Sequence, residues 1–236
     1  MRGRAVLWRR RALALGVVCV ALVAGYFLWF RDSSLVSVDE VAVEGATTSP
    51  DEVEVALTQA AEGMSTLNVD EDALARSVAG FPTVASIGVD ARPPHKLTVT
   101  VNERLPVAQA KIDGDRVAVS ADGYLLPGFQ VEGAQLPPLD EDAAAAPGGL
   151  LDAEGAAQAA AVGSAPDELG DRITGAEWDP DRGGVVIDLE GAPELRFGDG
   201  ERAEDKWKAA VAVLSSAEGA PGYVDVSVPE RSVSGG

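Results

Sequence analysis

Cysteine is almost missing from this 236-residue chain. The one present, Cys19, sits inside an apolar run, so no disulfide can form within the chain and no thiolate pair can hold a metal. Histidine is as scarce. His95 stands alone in the turn Pro93-Pro94-His95, which leaves neither a second imidazole for a metal site nor a relay for a nucleophile, and it reads as an exposed turn residue. Basic charge is also short, with 19 Lys and Arg against 38 Asp and Glu. Five of the arginines crowd into the first eleven residues, so the rest of the chain carries 14 − 38 = −24. Such a field repels nucleic acid and anionic surfaces and attracts basic protein, and it keeps a domain soluble. Lysine is outnumbered by arginine 4 to 15, and Ala, Gly, Val and Pro abound, a bias expected of a GC-rich genome.

Chemistry-bearing patterns are equally thin. The glycines follow no phosphate-loop spacing. Asp179-Pro180-Asp181-Arg182-Gly183-Gly184 lacks the third oxygen ligand and the distant glutamate of a calcium loop, and reads as a turn. Asp70, Glu71 and Asp72 cluster at a helix N-terminus, where the helix dipole accounts for them. Among 38 acids some carboxylates will pair by chance. The enzymatic alternative is therefore a membrane-anchored extracytoplasmic cell-wall hydrolase using paired carboxylates. The pattern predicts no catalytic residue, metal, cofactor or small-molecule substrate.

What is present is a long apolar run, Ala12 to Phe30, without a charge. As a helix it is roughly 28 Å long, close to the ~30 Å hydrocarbon core of a bilayer. Arg2, Arg4, Arg9, Arg10 and Arg11 precede it, whereas Arg31 and Asp32 after it cancel. The positive-inside rule leaves residues 1–11 as a cytoplasmic arm, makes 12–30 a single transmembrane helix and sends the remainder outside. Trp8 at one end and Tyr26, Phe27, Trp29 and Phe30 at the other suit the interfacial aromatic belts. A cleaved signal peptide fits less well, because the run exceeds an ordinary h-region and ends in bulky residues.

Beyond a polar neck the chain alternates in period. Val41 and Val43 mark a strand closed by Gly45. Ser49-Pro50-Asp51-Glu52 has the form of a capping box, and Val53, Leu57, Ala60 and Ala61 give the helix after it one apolar stripe. Asp70 caps a second helix with Leu74 and Val78. Val84–Arg92 places Ala85, Ile87, Val89 and Ala91 on one face, and Lys96–Glu103 alternates Leu97, Val99 and Val101 against polar neighbours. Strand, helix, helix, strand, strand is enough for two helices on one face of a small sheet, its other face wet.

These residues resemble the polypeptide-transport-associated (POTRA) domain of the FtsQ/DivIB family of bacterial division proteins. The resemblance is most specific from Pro82 to Ala108, with Pro-x-Val before a strand, Arg-x-Pro at the turn and Glu-Arg-x-Pro-Val-Ala at the end. It continues through Ala121-Asp122-Gly123 before Tyr124-Leu125-Leu126, through Leu136-Pro137-Pro138-Leu139, and through an amphipathic helix, Ala203–Ser216, followed by the strand Tyr223–Val228. Strands are expected at Val107–Ile112, Arg116–Ser120, Ile173–Trp178, Val185–Leu189 and Leu195–Phe197, the last three as a meander, and a helix at Ala153–Val162 within the least legible stretch, 140–166.

The resemblance implies an α+β chain, with the single N-terminal transmembrane helix, a β-α-α-β-β POTRA domain at 36–104, a mostly antiparallel β-rich domain with a C-terminal helix and strand at 105–229, and a tail at 230–236. It implies a non-enzymatic scaffold of the division septum whose partners are the single-pass FtsB (DivIC) and FtsL proteins, with no nucleic acid. It also implies a partner-binding strand made of Tyr223, Val224, Asp225, Val226, Ser227 and Val228, expected as a free sheet edge, with Lys206 and Trp207 on the neighbouring helix. A POTRA module of outer-membrane assembly is a lesser reading, since no barrel-type strand series follows.

Overall fold

A computed structural model describes residues 2–26, 30–31, 33–140, 143–216 and 221–235, with the side chains of its first helix from residue 14 onward. The chain divides into two compact units, Met1–Glu103 and Arg104–Gly236.

The first unit opens with helix α1, Arg2–Gly25, which takes in the arginine arm as well as the start of the apolar run. Leu15, Val17, Val18, Val20, Leu22 and Val23 are all exposed, so the second half of α1 is apolar on every side. Among the described residues no helix is long and apolar enough to cross a membrane, and residues 27–29 of the expected span lie outside them. Strand β1 is Glu40–Glu44, followed by α2, Pro50–Ala61, and α3, Glu71–Val78. Strands β2, Val84–Arg92, and β3, Lys96–Glu103, complete a sheet ordered β1-β3-β2, with β1 and β3 parallel and β2 antiparallel. Side chains of α2, α3 and β3 form the core, where Leu57, Leu74, Leu97 and Val99 are fully buried.

Three local expectations need correction. Ser49 occupies the N-cap of α2 before Pro50, but its hydroxyl caps nothing, so no capping box forms. The incoming loop is held instead by Glu103, whose carboxylate accepts the amides of Thr47 (2.8 Å) and Thr48 (2.9 Å) and both threonine hydroxyls. Burial alone would raise that carboxyl, but these bonds outweigh it and hold the group below the ordinary glutamate range. Next, a bulge between Val84 and Ser86 buries Val84 and leaves Ala85 exposed, against the simple alternation. Finally, His95 is a half-buried clasp: its Nδ1 lies 3.0 Å from the Ser37 carbonyl and 3.2 Å from an Asp39 carboxylate oxygen, tying the neck to the β2–β3 turn. Gly45 (φ +87°) cannot be replaced freely, since a Cβ there would lie 2.4 Å from the Val101 carbonyl.

The second unit is one long layer of strands. β4 (Pro106–Ile112), β5 (Asp115–Ser120) and β6 (Leu125–Leu126) form a meander, and a small hairpin of β7 (Ala145–Ala146) and β8 (Leu150–Leu151) closes its far side through a bridge from Leu150 to Tyr124. Helices α4, Ala153–Gly163, and α5, Asp167–Gly170, come next, then β9 (Ile173–Asp179), β10 (Gly184–Leu189), β11 (Glu194–Gly198) and α6, Ala203–Ser216. The two strand groups meet through Leu136-Pro137-Pro138-Leu139. Gln109 bridges to Pro138 and Leu139 to Ala176, both parallel, with the proline carbonyls accepting from Gln109 (3.0 Å) and Ala176 (3.1 Å). Prolines lack a donor but still accept, so this segment joins the sheets without becoming a regular strand. α4 and α6 cover one face, over Ile187, Leu195 and Phe197. The poorly legible stretch is thus ordered where described: Asp152 caps α4 by accepting from Gly155, and buried Gln158 accepts the Asp140 amide.

The register of β3 predicts an asymmetry between neighbours. Val101 is 3% exposed and points into the core, whereas Thr100 faces water. Val101→Asp should cost several kcal/mol, a large part of the roughly 5–15 kcal/mol that holds a domain together, and Thr100→Asp should leave the urea midpoint nearly unchanged. Equal losses in the two variants would contradict the register.

Candidate protein-binding edge

The far edge of the second unit's sheet is where backbone groups are available to another chain. Strand β12 is Tyr223–Asp225, parallel to β11, with Leu195 opposite Val224 and Arg196 opposite Asp225. It is shorter than the expected Tyr223–Val228 for a local reason. The Asp225 carboxylate accepts both the amide (3.0 Å) and the hydroxyl (2.7 Å) of Ser227, an Asx turn that bends the backbone out of the ladder. Val226 remains buried, and its amide still reaches the Arg196 carbonyl at 2.9 Å.

The expectation that this strand is the free edge is corrected. A one-turn 3₁₀ helix at Pro229–Arg231 reverses the chain, and a further strand, β13, Val233–Gly235, pairs antiparallel outside β12. The sheet order is β13-β12-β11-β10-β9, so the open edge is β13, within what the sequence suggests is a tail. The fit is close at one point, because a Cβ on Gly235 would fall 2.7–2.8 Å from the Tyr223 ring and hydroxyl. That ring is held from another side by the Arg196 guanidinium, 3.5 Å from its centroid, and Arg196 is itself paired to Glu194 at 2.8 Å.

The orientation of each amide follows from pairing. Val226 points its N–H at β11, so by strand alternation Val224 does too, and Tyr223 and Asp225 face β13. Their partners Gly235 and Val233 turn inward, which leaves Ser234 with its N–H and C=O on the outer side. Among the described residues no strand covers that side.

Lys206 and Trp207 are placed differently from expectation. Both are 2% exposed, so neither side chain is presented to a partner. Trp207 packs on Phe197 with ring centroids 5.3 Å apart, and its Nε1 donates to the Ala161 carbonyl at 2.8 Å. The Lys206 ammonium donates to the carbonyl (2.9 Å) and carboxylate (2.5 Å) of Asp199 and thereby holds the loop between β11 and α6. These residues fix α6 on the sheet and so fix the backbone beneath β12. Sequence spacing gave the helix face and not its depth. Among the described residues no cluster of His, Cys, Asp or Glu is arranged to hold a metal.

The Lys206 clamp makes a prediction about acid. The hydrogen bond from Lys206 is the main cause that holds the Asp199 carboxyl below the usual aspartate range, opposed by partial burial and helped by the ammonium charge. A depressed folded pKa stabilises above the unfolded value, about 3.9, and that contribution is lost as pH falls through the folded one. Asp199→Asn should lower stability by about 0.5–1.5 kcal/mol at pH 7, since the buried ammonium loses a charged but largely exposed acceptor and keeps the Asp199 carbonyl. The gap from the parent, followed by urea unfolding, should close below about pH 4. A gap that persists undiminished in acid would mean that the charge pair is not its source.

Residues 36–104 match the family model described as POTRA domain, FtsQ-type. The chain is 29% identical over 231 residues to the cell division protein FtsQ of Streptomyces venezuelae, an alignment covering 96% of this chain and 84% of that one. It is 34% identical over 109 residues to the FtsQ of Corynebacterium glutamicum, covering 45% of this chain and 48% of that one. The POTRA match falls on the β-α-α-β-β unit, and the longer alignment takes in most of both units. Residues 36–104 are thus similar to FtsQ-type POTRA domains, and the chain is similar over most of its length to FtsQ cell division proteins.

Proposed function

We propose that this chain is a non-enzymatic, membrane-anchored scaffold of the division septum. It binds FtsB/DivIC-like and FtsL-like single-pass proteins through extracytoplasmic domains and helps regulate septal peptidoglycan synthesis. Its parts are a cytoplasmic arm at 1–11, a transmembrane helix at 12–30, the POTRA domain at 36–104 and a β-rich domain from 105 onward. The observation that carries the binding role is the open edge of β13, where Ser234 offers an unpaired donor and acceptor in line with a sheet. An added strand gains affinity from backbone bonds that any sequence can make, which suits a scaffold better than a catalyst. The membrane role is supported by the exposed apolar surface of α1 behind an arginine-rich arm. The residues expected for partner binding, Tyr223–Val228 with Lys206 and Trp207, act one layer in, by fixing the strand on which β13 rests.

Two experiments test this reading. Ser234→Pro removes the outward N–H and leaves the inward bonds of Val233 and Gly235, so the fold should survive because edge strands tolerate proline. Capture of an FtsB–FtsL coiled-coil fragment should fall at least tenfold, whereas Thr100→Asp on the other unit should not change it. Wild-type capture by a folded Ser234→Pro protein would rule the edge out. For topology, protease added to intact protoplasts should digest residues beyond the anchor while a cytoplasmic marker stays protected. Protection of both would place the bulk of the chain on the wrong side.

A further inference from the structure

A second surface in the same unit stands apart from the β13 edge. Between α5 and the outer flank of α6 runs a trough with an apolar floor and a polar rim, made of two adjoining hollows of about 450 and 380 Å³ that share Val211. Its floor is Leu169, Val211 and Leu214, with Pro166 and the edge of Trp207 at one end and Ala192 with Pro193 at the other. Val211 and Leu214 are only half-buried, so this apolar stripe is not used up by the protein's own core. From Glu204 to Ser215 the flank of α6 extends roughly 17 Å, the length of about three helical turns.

The rim settles which charge fits. Three cations line these hollows and the one beside them; Arg202 and Lys208 are paired with carboxylates of the chain, and Arg172 is tied to a backbone carbonyl that leaves its charge in place. Arg172 donates to the Glu190 carbonyl at 2.7 Å, Arg202 pairs with Glu230 at 2.5 Å, and Lys208 pairs with Asp205 at 3.1 Å. Glu168 and Glu204 lie near opposite ends of the trough, both are exposed, and no described residue forms an ion pair with either. An apolar floor between two unpaired carboxylates, on a strongly acidic chain, is complementary to an amphipathic helix bearing lysine or arginine beside its apolar stripe.

We propose that the trough along α6 is a second docking site, which takes a basic amphipathic helix of about three turns from a partner protein. Leu169, Val211 and Leu214 supply the buried contact, and Glu168 and Glu204 set its sign and register. The site is separate from β13 and does not depend on strand addition there.

The test uses the full chain in phosphatidylcholine nanodiscs, with empty discs as blank, at about 0.15 M salt, where attraction beyond ~8 Å is screened. Three labelled 14-residue peptides are titrated by fluorescence anisotropy. One has leucines at i, i+3, i+4 and i+7 flanked by lysines, one has glutamate for every lysine, and one has the first composition reordered so that leucine and lysine alternate. The first should bind at least tenfold more tightly than the other two. Combined Glu168→Lys and Glu204→Lys should invert the preference between the lysine and glutamate peptides. Combined Glu177→Lys and Asp188→Lys, at exposed positions away from the trough, should leave the preference intact. Val211→Asp, checked for folding by thermal melting, should weaken binding of the lysine peptide at least tenfold. Four results would overturn the proposal: no preference among the peptides, tighter binding of the alternating one, equal loss in the control reversal, or no effect of the trough reversal.

Discussion

A sheet has to end somewhere, and the second unit is arranged by how its backbone groups are paired up to that end. Its strands form one layer only because Leu136–Leu139 links β4 to β9 through the carbonyls of two prolines. Without that link the meander of β4 to β6 and the strands from β9 onward would present two additional interior edges, each with an unpaired row of N–H and C=O groups. With it, only the extremes are left. One is covered by the β7–β8 hairpin, and the other is β13, which is short, holds only Val233, Ser234 and Gly235, and stays open. Short polar edges resist promiscuous pairing and still accept a strand brought to them. The position of the open edge is thus a consequence of where the proline link closes the layer.

What was legible in the sequence is what side-chain period controls. The stripe of α2, the alternation of β3 and the Asp70 cap of α3 appear as read, because burial of one face dictates each of them. The misreadings share a different cause. β13 has a single β-branched residue, and it is a strand because β12 offers it partners, which no periodicity records. Val84 is buried in place of Ala85 because of a bulge, and a bulge reverses the parity on which face assignment rests. Ser49 fails to cap because Glu103, more than fifty residues away, already holds the loop that would present it. Lys206 is the plainest case. A lysine at helical spacing reads as a surface charge, and only the tertiary position of Asp199 makes its burial tolerable.

The acidic balance of the chain is also spent unevenly. Glu103, Asp199 and Asp225 each hold a loop or turn by accepting several hydrogen bonds, so these charges are structural. Glu168 and Glu204 do no such work and flank apolar surface. Net charge by itself speaks only of solubility and long-range attraction. It is the separation of engaged acids from unengaged ones that turns −24 into a statement about a particular surface.

Edge and trough differ in what they can contribute to recognition. Three residues of β13 give about 10 Å of ladder, with little side-chain content to distinguish one partner strand from another. Backbone pairing of that length supplies affinity without much selectivity, and an exposed pair of hydrogen bonds competes with water for most of its worth. The trough has the opposite character, since apolar fit and charge sign discriminate between sequences but half-buried side chains leave a modest area to cover. A single partner that carried a helix and then a strand would make the second contact intramolecular once the first had formed, so that two weak sites on one rigid layer act as one selective site. That coupling requires the layer to stay rigid between α6 and β12. The Trp207–Phe197 contact and the Lys206–Asp199 clamp are the interactions that keep it so.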